Sequence, residues 1–381
     1  MGTEPSSPAT PQTDNTPRPR LRWKQLRPSS KVCVLLLIGL VFIGVLEVGA
    51  RFYWKSVKGV EPGQSEAIFR SFYDELDEAH IDAVAPYHGD NTFDVLILGG
   101  STVTRFFGDI GERIGAGLEQ KLGRKVRVVN LANLGHTTRD SLNKYARLKD
   151  KRFDLVVIYH GINDVRLNNT PPGAFKADYS HHTRFAQIAA IDRHKELPYL
   201  TFPYTTYYLT TSLLDRWHLT NRPRPEFIKY GNEIRTPPSF EANMEAIAAL
   251  AKERGDRLVL QTYALYVPAN YTDAAFKAGQ LDYTTQSEMS LESSWGEPAN
   301  VLKAVDLHNE ATRRVAVRHP ETILIEQAQS MPRQGIYFVD PCHLSQDGCK
   351  RFAENVLANL DMEWLLGGHF PVGYVSNVPG S

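Results

Sequence analysis

Between residues 93 and 360, short predominantly apolar runs alternate with longer segments whose apolar residues recur at helical spacing. Five of the runs have the length of strands, and the continuous apolar stretch of the first is typical of a strand buried on both faces. They cover residues 95–98, 126–131, 153–159, 257–262 and 322–325. Strands that alternate with helices in this way predict a parallel sheet with right-handed crossovers.

The segments between the runs predict the helices that cover such a sheet. Gly123 and Gly255 are placed to end two of them, because glycine readily adopts the left-handed conformation that follows many helices. Ser239 is the expected N-cap of the helix that ends at Gly255. Helices are predicted over residues 110–122, up to about 148, from 239 to 255, over 301–318, and in a closing segment that presents Phe352, Val356 and Leu360 on one side.

Residues 165–239 interrupt this alternation. Prolines recur there, aromatic residues cluster between Phe202 and Trp217, and no sheet period holds. An insertion of this length beside strand ends is usually functional or disordered, and the aromatic residues favour order. We expect a lid, a substrate wall, a patch resting on a membrane, or a satellite core that packs its own aromatic side chains.

The chain before residue 93 differs in composition. Residues 1–31 combine recurring prolines with basic residues crowded at their end, which predicts a disordered basic tail. Residues 32–54 supply the roughly 20 apolar positions of a membrane span, provided that Glu47 lies near the far interface or pairs with Arg51. More basic residues precede this span than follow it, so the tail is expected in the cytoplasm and the remaining chain outside it, in a periplasmic or extracellular position.

Two alternatives to this signal anchor remain open. Residues 48–50 resemble a small-residue cleavage site, which would make the span a signal peptide, although the long tail and Glu47 favour an anchor. A buried core helix is the other alternative. After the span, residues 55–92 are predicted to be a connector with a short helix at about 66–76, residues 93–362 one α/β domain, and residues 363–381 a C-terminal tail.

Charge and cysteine content exclude some classes of protein. Lys+Arg and Asp+Glu balance at 43 each, so no overall basic field indicates nucleic acid as a partner. Three cysteines are too few for a disulfide scaffold. An exported domain would permit a disulfide between Cys342 and Cys349, and two buried thiols are equally acceptable.

The first predicted strand leads into Gly99, Gly100 and Ser101. Glycine permits a tight turn and a close approach to the backbone. Ligands of open parallel sheets bind outside the carboxyl ends of the strands, so Ser101 is a candidate nucleophile. An ordinary turn or a phosphate-binding loop fits the same local pattern, and Ser101 alone does not define a site.

Asp340 and His343 lie just before the closing helix, and Pro341 between them stiffens the turn. Their spacing lets the Asp340 carboxylate accept a hydrogen bond from one ring nitrogen of His343 while the other nitrogen faces a site. Histidines near helix starts are often structural. Together with a serine at a strand end, however, the pair forms a candidate triad in the order Ser, Asp, His.

Gly135 and Asn163 follow the second and third strands, at the edge of the sheet where Ser101 is expected. The backbone N–H of Gly135 and the side-chain amide of Asn163 are candidate donors to an oxyanion. A turn glycine and a loop-capping asparagine are the structural alternatives.

Four sequence blocks resemble those of the SGNH hydrolase superfamily, also called GDSL-type esterases and lipases. They read GGST around Ser101, NLANLG ending at Gly135, GIND from 161 to 164, and DPCH from Asp340 to His343. The resemblance implies a flavodoxin-like three-layer α/β/α sandwich with Ser101 as nucleophile, His343 as base and Asp340 as its orienting group. It also implies an oxyanion hole made by the backbone N–H groups of Ser101 and Gly135 and the side chain of Asn163, with no cofactor or metal.

Gly100 departs from the family pattern, because the commoner motif has aspartate before the serine. Asp164 follows Asn163 as in the family, and we expect it to hold a loop. His181 and His182 lack carboxylate or cysteine partners at ligand spacing, so they are expected to be a solvated pair and not a metal site.

The sequence thus predicts a membrane-anchored serine hydrolase that cleaves an ester in a small molecule, a glycan or a lipid through an acyl-enzyme. Transfer of the acyl group to a hydroxyl of an envelope polysaccharide would use the same groups, and exclusion of water would favour it. A non-catalytic module that binds glycan or lipid in the same crevice is the alternative from another class. The sequence does not predict an oligomeric state.

Overall fold

A five-stranded parallel sheet lies at the centre of the computed structural model, which describes residues 27–78, 81–88, 91–285 and 289–367. Its strand order is β2-β1-β3-β4-β5, the flavodoxin-like order. The strands are β1 (Phe93–Gly99), β2 (Val126–Asn130), β3 (Leu155–Tyr159), β4 (Arg257–Gln261) and β5 (Ile323–Ile325). All five predicted strands and the predicted fold class are therefore confirmed.

Helices precede the sheet, cover both of its faces and build the insertion. In the described residues they are α1 (Pro28–Phe52), α2 (Ser65–Arg70), α3 (Glu75–Glu78), α4 (Ile110–Leu122), α5 (Thr138–Arg147), α6 (Ile162–Val165), α7 (Thr183–Arg193), α8 (Phe202–Arg216), α9 (Pro237–Arg254), α10 (Asp273–Lys277), α11 (Leu291–Ser294), α12 (Pro298–Arg318), α13 (Gln327–Ser330), α14 (Gln346–Asn359) and α15 (Met362–Leu366).

The two faces of the sheet carry separate hydrophobic cores, because successive side chains of a strand point to opposite faces. On one face, Val95 and Ile97 of β1 pack with apolar residues of α4 and α14. On the other face, Leu96 and Leu98 pack with residues of α5, α9 and the carboxyl half of α12. Gly123 and Gly255 adopt φ values of 62° and 73° after α4 and α9, as predicted.

Helix α1 begins at Pro28, four residues before the predicted start of the span. Proline suits the first turn of a helix because the N–H that it lacks has no partner there. Residues 1–26 of the predicted tail lie outside the described residues. Extended by one π-helical turn to Val57, this is a helix long and apolar enough to cross a membrane, and its most apolar stretch is not buried in the protein.

The predicted connector is part of the domain. Trp54, Ile68, Phe69 and Tyr73 are fully buried against the α5 and α9 side of the sheet. The predicted helix at 66–76 is two short helices, α2 and α3. The domain thus begins within the last turns of the apolar helix, because several side chains after residue 53 complete its core.

The carboxyl end of the domain also differs from the prediction. Helix α15 crosses the predicted boundary at residue 362, and its Trp364 and Leu365 are buried in the α4 and α14 core. Arg257 of β4 donates hydrogen bonds to the carbonyls of Trp364 and Gly367, both at 2.7 Å. Residues 368–381 of the predicted tail lie outside the described residues.

The insertion is not chiefly a satellite core. Its α7 and α8 place Ile188, Ile191 and Tyr204 in the main core beside Trp54, and the Trp54 indole N–H donates to Thr205 Oγ1 at 2.9 Å. A separate small cluster joins Leu167, Tyr179 and Phe185. The core therefore extends through the insertion, which local sequence patterns do not reveal.

Ser239 is not the N-cap of α9. The helix begins at Pro237 after Thr236, which places Ser239 inside its first turn. Proline at the first position starts this helix as it starts α1.

Candidate active site

Ser101 lies in a short 3-10 turn, Ser101–Val103, that follows the carboxyl end of β1. Its Oγ is 2.7 Å from Nε2 of His343. The serine hydroxyl and the imidazole thus come together although they are far apart in the chain, because β1 and the loop before α14 end at the same edge of the sheet.

The loop from Asp340 to His343 holds the imidazole in one orientation. Asp340 Oδ2 is 2.6 Å from His343 Nδ1, and its Oδ1 accepts the backbone N–H groups of Cys342 and His343 at 2.9 and 2.8 Å. Burial favours the neutral acid, but the hydrogen bond and charge of His343 outweigh it and lower the pKa of Asp340. An ionised Asp340 keeps a proton on Nδ1, so the lone pair of Nε2 faces the Ser101 hydroxyl.

Phe107 packs against the face of the His343 ring. The two rings are stacked with centroids 3.8 Å apart and planes inclined by 12°. Sequence reasoning missed Phe107, because one phenylalanine in a loop carries no distinguishing pattern.

Cys342 and Cys349 are both buried free thiols, which decides between the two states that the sequence left open. Cys342 Sγ lies 3.5 Å from His343 Nδ1. Burial raises the pKa of the Cys342 thiol well above its usual range, and the charge of Asp340 raises it further. Cys342 therefore stays protonated and packs behind the imidazole.

Gly135 lies in the loop between β2 and α5 with a φ of 70°, a conformation that favours glycine. It lines the same cavity as Ser101, Asn163 and His343. Within the described residues, the backbone N–H groups of Ser101 and Gly135 have no hydrogen-bond acceptor. Two free donors at the cavity wall are what an oxyanion requires.

Asn163, in the first turn of α6, is held by two partners. Its Nδ2 donates to the His136 carbonyl at 2.9 Å, and its Oδ1 accepts the indole N–H of Trp295 at 3.3 Å. The amide has a second N–H, which is available to a ligand because Asn163 lines the cavity. Trp295 was missed by sequence reasoning, since it belongs to a loop without a strand or helix pattern.

The departure at Gly100 has a steric cause. A Cβ at this position would lie 2.5 Å from Asn163 Nδ2 and 3.2 Å from the His136 carbonyl oxygen. Any side chain at residue 100 would displace the Asn163 amide, so the present position of Asn163 requires glycine at residue 100.

Asp164 is fully buried and ties three segments together. Its oxygens accept the backbone N–H of Thr138 at 3.0 Å, the Thr138 hydroxyl at 2.6 Å and the Tyr179 hydroxyl at 2.9 Å. Burial raises the pKa of Asp164 to about 7, and the donated hydrogen bonds oppose that shift. These contacts fit the loop-holding role expected for Asp164, since Thr138 begins the helix that follows Gly135.

A buried ion pair supports the Gly135 loop from behind. Lys144 of α5 is fully buried, and its Nζ lies 2.8 Å from Glu75 Oε1 and 2.9 Å from His136 Nδ1. Glu75 also accepts the Asn133 side-chain N–H at 3.0 Å. Burial favours the neutral form of Glu75, but attraction by Lys144 and His136 outweighs it and lowers the pKa of this carboxyl.

The cavity in front of Ser101 has a volume of about 260 Å³. Met289 and Trp295 form part of its wall. The insertion contributes Pro223, Arg224, Pro225 and Ile228, so a substrate in the cavity would touch the insertion as well as the sheet edge.

His181 and His182 are not a solvated pair. The backbone N–H of Lys176 donates to His181 Nδ1 at 3.2 Å, and that of Arg184 donates to His182 Nδ1 at 3.3 Å. Burial lowers the pKa of His181 to about 4 and that of His182 to about 3. The prediction failed because the exposure of two polar residues depends on the fold of the insertion.

The described residues include one close group of metal-ligand side chains, Asp340, Cys342 and His343. Both ring nitrogens of His343 already have partners in Asp340 and Ser101. The arrangement is therefore accounted for by hydrogen bonding alone.

No family model and no curated protein matches the chain. Several solved structures are similar to it. An alpha/beta hydrolase enzyme from the metagenome of Lake Arreo is 16% identical over 72% of this chain and 96% of its own, with a TM-score of 0.40. Axe2, an acetylxylan esterase from Geobacillus stearothermophilus, is 16% identical over 71% and 95%, with a TM-score of 0.37. A GDSL-like lipase from Bacteroides thetaiotaomicron is 14% identical over 76% and 96%, with a TM-score of 0.39.

Proposed function

We propose that the protein is a serine hydrolase that cleaves an ester bond through a covalent acyl-enzyme. The observation that carries this proposal is the continuous set of hydrogen bonds from Ser101 through His343 to Asp340 at the wall of a cavity. A serine hydroxyl is a weak nucleophile, and an adjacent base that is oriented by a carboxylate activates it.

In the proposed reaction, Ser101 Oγ attacks the ester carbonyl carbon while His343 Nε2 accepts the hydroxyl proton. The Asp340 carboxylate stabilises the resulting imidazolium. Collapse of the tetrahedral intermediate breaks the bond to the alcohol, which leaves with the proton from His343. A water molecule, deprotonated by the same nitrogen, then attacks the acyl-enzyme and releases the acid and the Ser101 hydroxyl.

The negative charge on the carbonyl oxygen of the intermediate needs donors. The free backbone N–H groups of Ser101 and Gly135 and the second N–H of Asn163 supply them in this proposal. Loss of one such donor typically raises the barrier by about 3 kcal/mol.

A fluorophosphonate probe tests the proposal, because it phosphonylates only activated serines. We expect labelling of the folded protein that is lost in Ser101→Ala and in His343→Ala. The control is Ser71→Ala, since the Ser71 hydroxyl bonds to the Ile68 carbonyl and Ser71 does not line the cavity. Absence of labelling, or labelling unchanged in His343→Ala, would favour the non-catalytic binding module.

We also propose that α1 remains attached as a membrane anchor with the domain outside the cytoplasm. Its Glu47 accepts hydrogen bonds from the backbone N–H groups of Thr201 and Phe202 at 2.8 and 3.0 Å, and pairs with Arg51 at 2.6 Å. Cleavage after Ala50 would remove these bonds to the start of α8, which supports retention of the helix.

Protease treatment of intact cells tests this topology. We expect digestion of the domain beyond residue 55, protection of the basic tail, and a mature chain that still contains residues 28–52. Digestion of the tail alone would refute the orientation, and a mature chain that starts near residue 51 would refute the anchor.

A further inference from the structure

Arg166 is a cation in the candidate active site for which the proposed reaction has no use. It follows α6 directly, three residues after Asn163, and lines the cavity that contains Ser101 and His343. Its Nη2 lies 3.7 Å from the point that a Cβ on Gly135 would occupy. The guanidinium therefore stands beside the candidate oxyanion loop.

The same guanidinium also lines a second cavity of about 340 Å³. The two cavities share Leu134, Gly135, Arg166 and Met289. Arg166 thus lies between the space in front of Ser101 and a further space large enough for another part of a substrate.

Within the described residues, no hydrogen bond or ion pair engages the Arg166 side chain. Two other arginines near these cavities, Arg184 and Arg224, do have such partners. Arg184 donates to the Phe72 carbonyl at 2.5 Å and lies 3.4 Å from an Asp140 oxygen. Arg224 donates to the Thr220 hydroxyl at 2.9 Å and lies 3.8 Å from an Asp215 oxygen.

The groups around Arg166 do not neutralise it. Burial lowers its pKa, and the charge of Arg222 lowers it further. Asp140 is the nearby acid, but its oxygens already accept hydrogen bonds from Tyr73 and Thr137. His182, which also lines the second cavity, is neutral because burial lowers its pKa to about 3.

Arg166 is half-buried, so its guanidinium gives up part of its hydration without gaining an ion pair, which is unfavourable. An arginine fork is suited to the two oxygens of a carboxylate or phosphate. We propose that Arg166 binds an anionic group of the substrate, so that the preferred substrates are esters of molecules that also carry a carboxylate or a phosphate. This inference rests on the proposed ester hydrolysis.

Matched pairs of esters test the inference. On the acyl side, the para-nitrophenyl monoester of succinate is compared with para-nitrophenyl butyrate. On the alcohol side, acetylated glycerol phosphate and an acetylated uronic acid are compared with acetylated glycerol and an acetylated neutral sugar. We expect the wild-type protein to have a higher kcat/KM for the anionic member of at least one pair, and the pair that shows it identifies a carboxylate or a phosphate.

Arg166→Gln removes the charge and keeps a polar side chain of similar length. We expect it to lower the ratio of kcat/KM for the anionic ester to that for the neutral ester by about 10- to 100-fold, the range for hydrogen bonds between charged groups. Arg166→Lys should retain part of the ratio. Arg314→Gln, which removes a surface arginine paired with Glu241, is the control and should leave the ratio unchanged.

Two results would overturn the inference. One is a wild-type protein that hydrolyses both members of every pair equally well. The other is an Arg166→Gln variant that loses activity on both members equally, which would make Arg166 a donor to the oxyanion. Either result leaves the proposed hydrolase intact, whereas failure of the fluorophosphonate probe to label wild-type Ser101 would refute the hydrolase itself.

Discussion

At the scale of single residues, the candidate triad was predicted from the sequence, whereas the aromatic residues beside it were not. Ser101, Asp340 and His343 stand in short motifs that are ambiguous singly and whose order along the chain resembles that of a known family. Phe107 and Trp295 contact His343 and Asn163 only through the tertiary fold. Aromatic residues in loops have many structural roles, so their sequence context could not select these two.

Gly100→Ala tests the steric relation between Gly100 and Asn163. The added methyl group would lie 2.5 Å from Asn163 Nδ2, so the amide must move. We expect kcat to fall by about 100- to 1,000-fold, as for loss of an oxyanion donor, with KM little changed. Steady-state kinetics of Gly100→Ala, Asn163→Ala and the double variant measure this, and independent, additive losses would contradict a shared cause.

Asp340→Asn tests the orientation of His343. Because asparagine cannot hold the imidazole in the same tautomer, we expect kcat to fall by up to about 10,000-fold while the fold persists. The measurement is single-turnover hydrolysis of an aryl ester. A fall of less than tenfold would show that Asp340 does not orient the base.

The pKa of Asp340 also predicts a pH dependence of stability. Its pKa is lower in the folded protein than in the unfolded chain, so the carboxylate stabilises the fold above its unfolded pKa and loses this effect as the pH falls through the folded value. We expect Asp340→Asn to destabilise the protein more at pH about 7 than at pH about 3. Urea unfolding at both pH values measures the difference, and an equal loss at both would contradict it.

At the scale of elements, apolar runs located every strand because a buried parallel strand is marked by its own composition. Short helices were harder to predict from the sequence. The sequence predicted a connector at residues 55–92, yet Ile68 and Phe69 complete a core formed by distant parts of the chain. The burial of the insertion also depends on distant parts of the chain, since Tyr204 stacks on Trp54.

The pair of Glu75 and Lys144 joins α3 and α5 beneath the Gly135 loop. Lys144→Met leaves the Glu75 charge buried without its partner, and such losses cost about 3–5 kcal/mol. We expect chemical denaturation to show a loss of this size, together with reduced kcat because Asn133 and His136 flank Gly135. The Glu75→Leu, Lys144→Met double variant should recover much of the stability, and a double variant less stable than Lys144→Met would contradict this account.

At the scale of the whole molecule, the apolar helix and the α/β domain share one core. Trp54 is fully buried between the end of the helix and α8, where its ring stacks on Tyr204 with centroids 5.9 Å apart. Hydropathy alone predicted an apolar helix here but not this contact, because the partner residues lie in the irregular insertion.

Trp54→Ala measures how strongly the helix is attached. Removal of a buried tryptophan costs about 3–5 kcal/mol, so we expect a clearly lower midpoint of thermal unfolding in detergent micelles. Phe52→Ala is the matched control, since Phe52 is 67% exposed, and it should unfold as the wild type does. Equal midpoints for Trp54→Ala and the wild type would show that the contact is not formed.

The bonds from Glu47 to α8 and the burial of Trp54 have a mechanical consequence for an anchored protein. A catalytic domain on a flexible linker samples a range of heights and directions above a bilayer. Here the helix continues into the domain without a free linker, so the mouth of the cavity would keep one height and one angle to the bilayer while the protein diffuses laterally. The cavity of such a domain would reach only ester groups at that height above the bilayer. Ester groups at other heights would have to move to it.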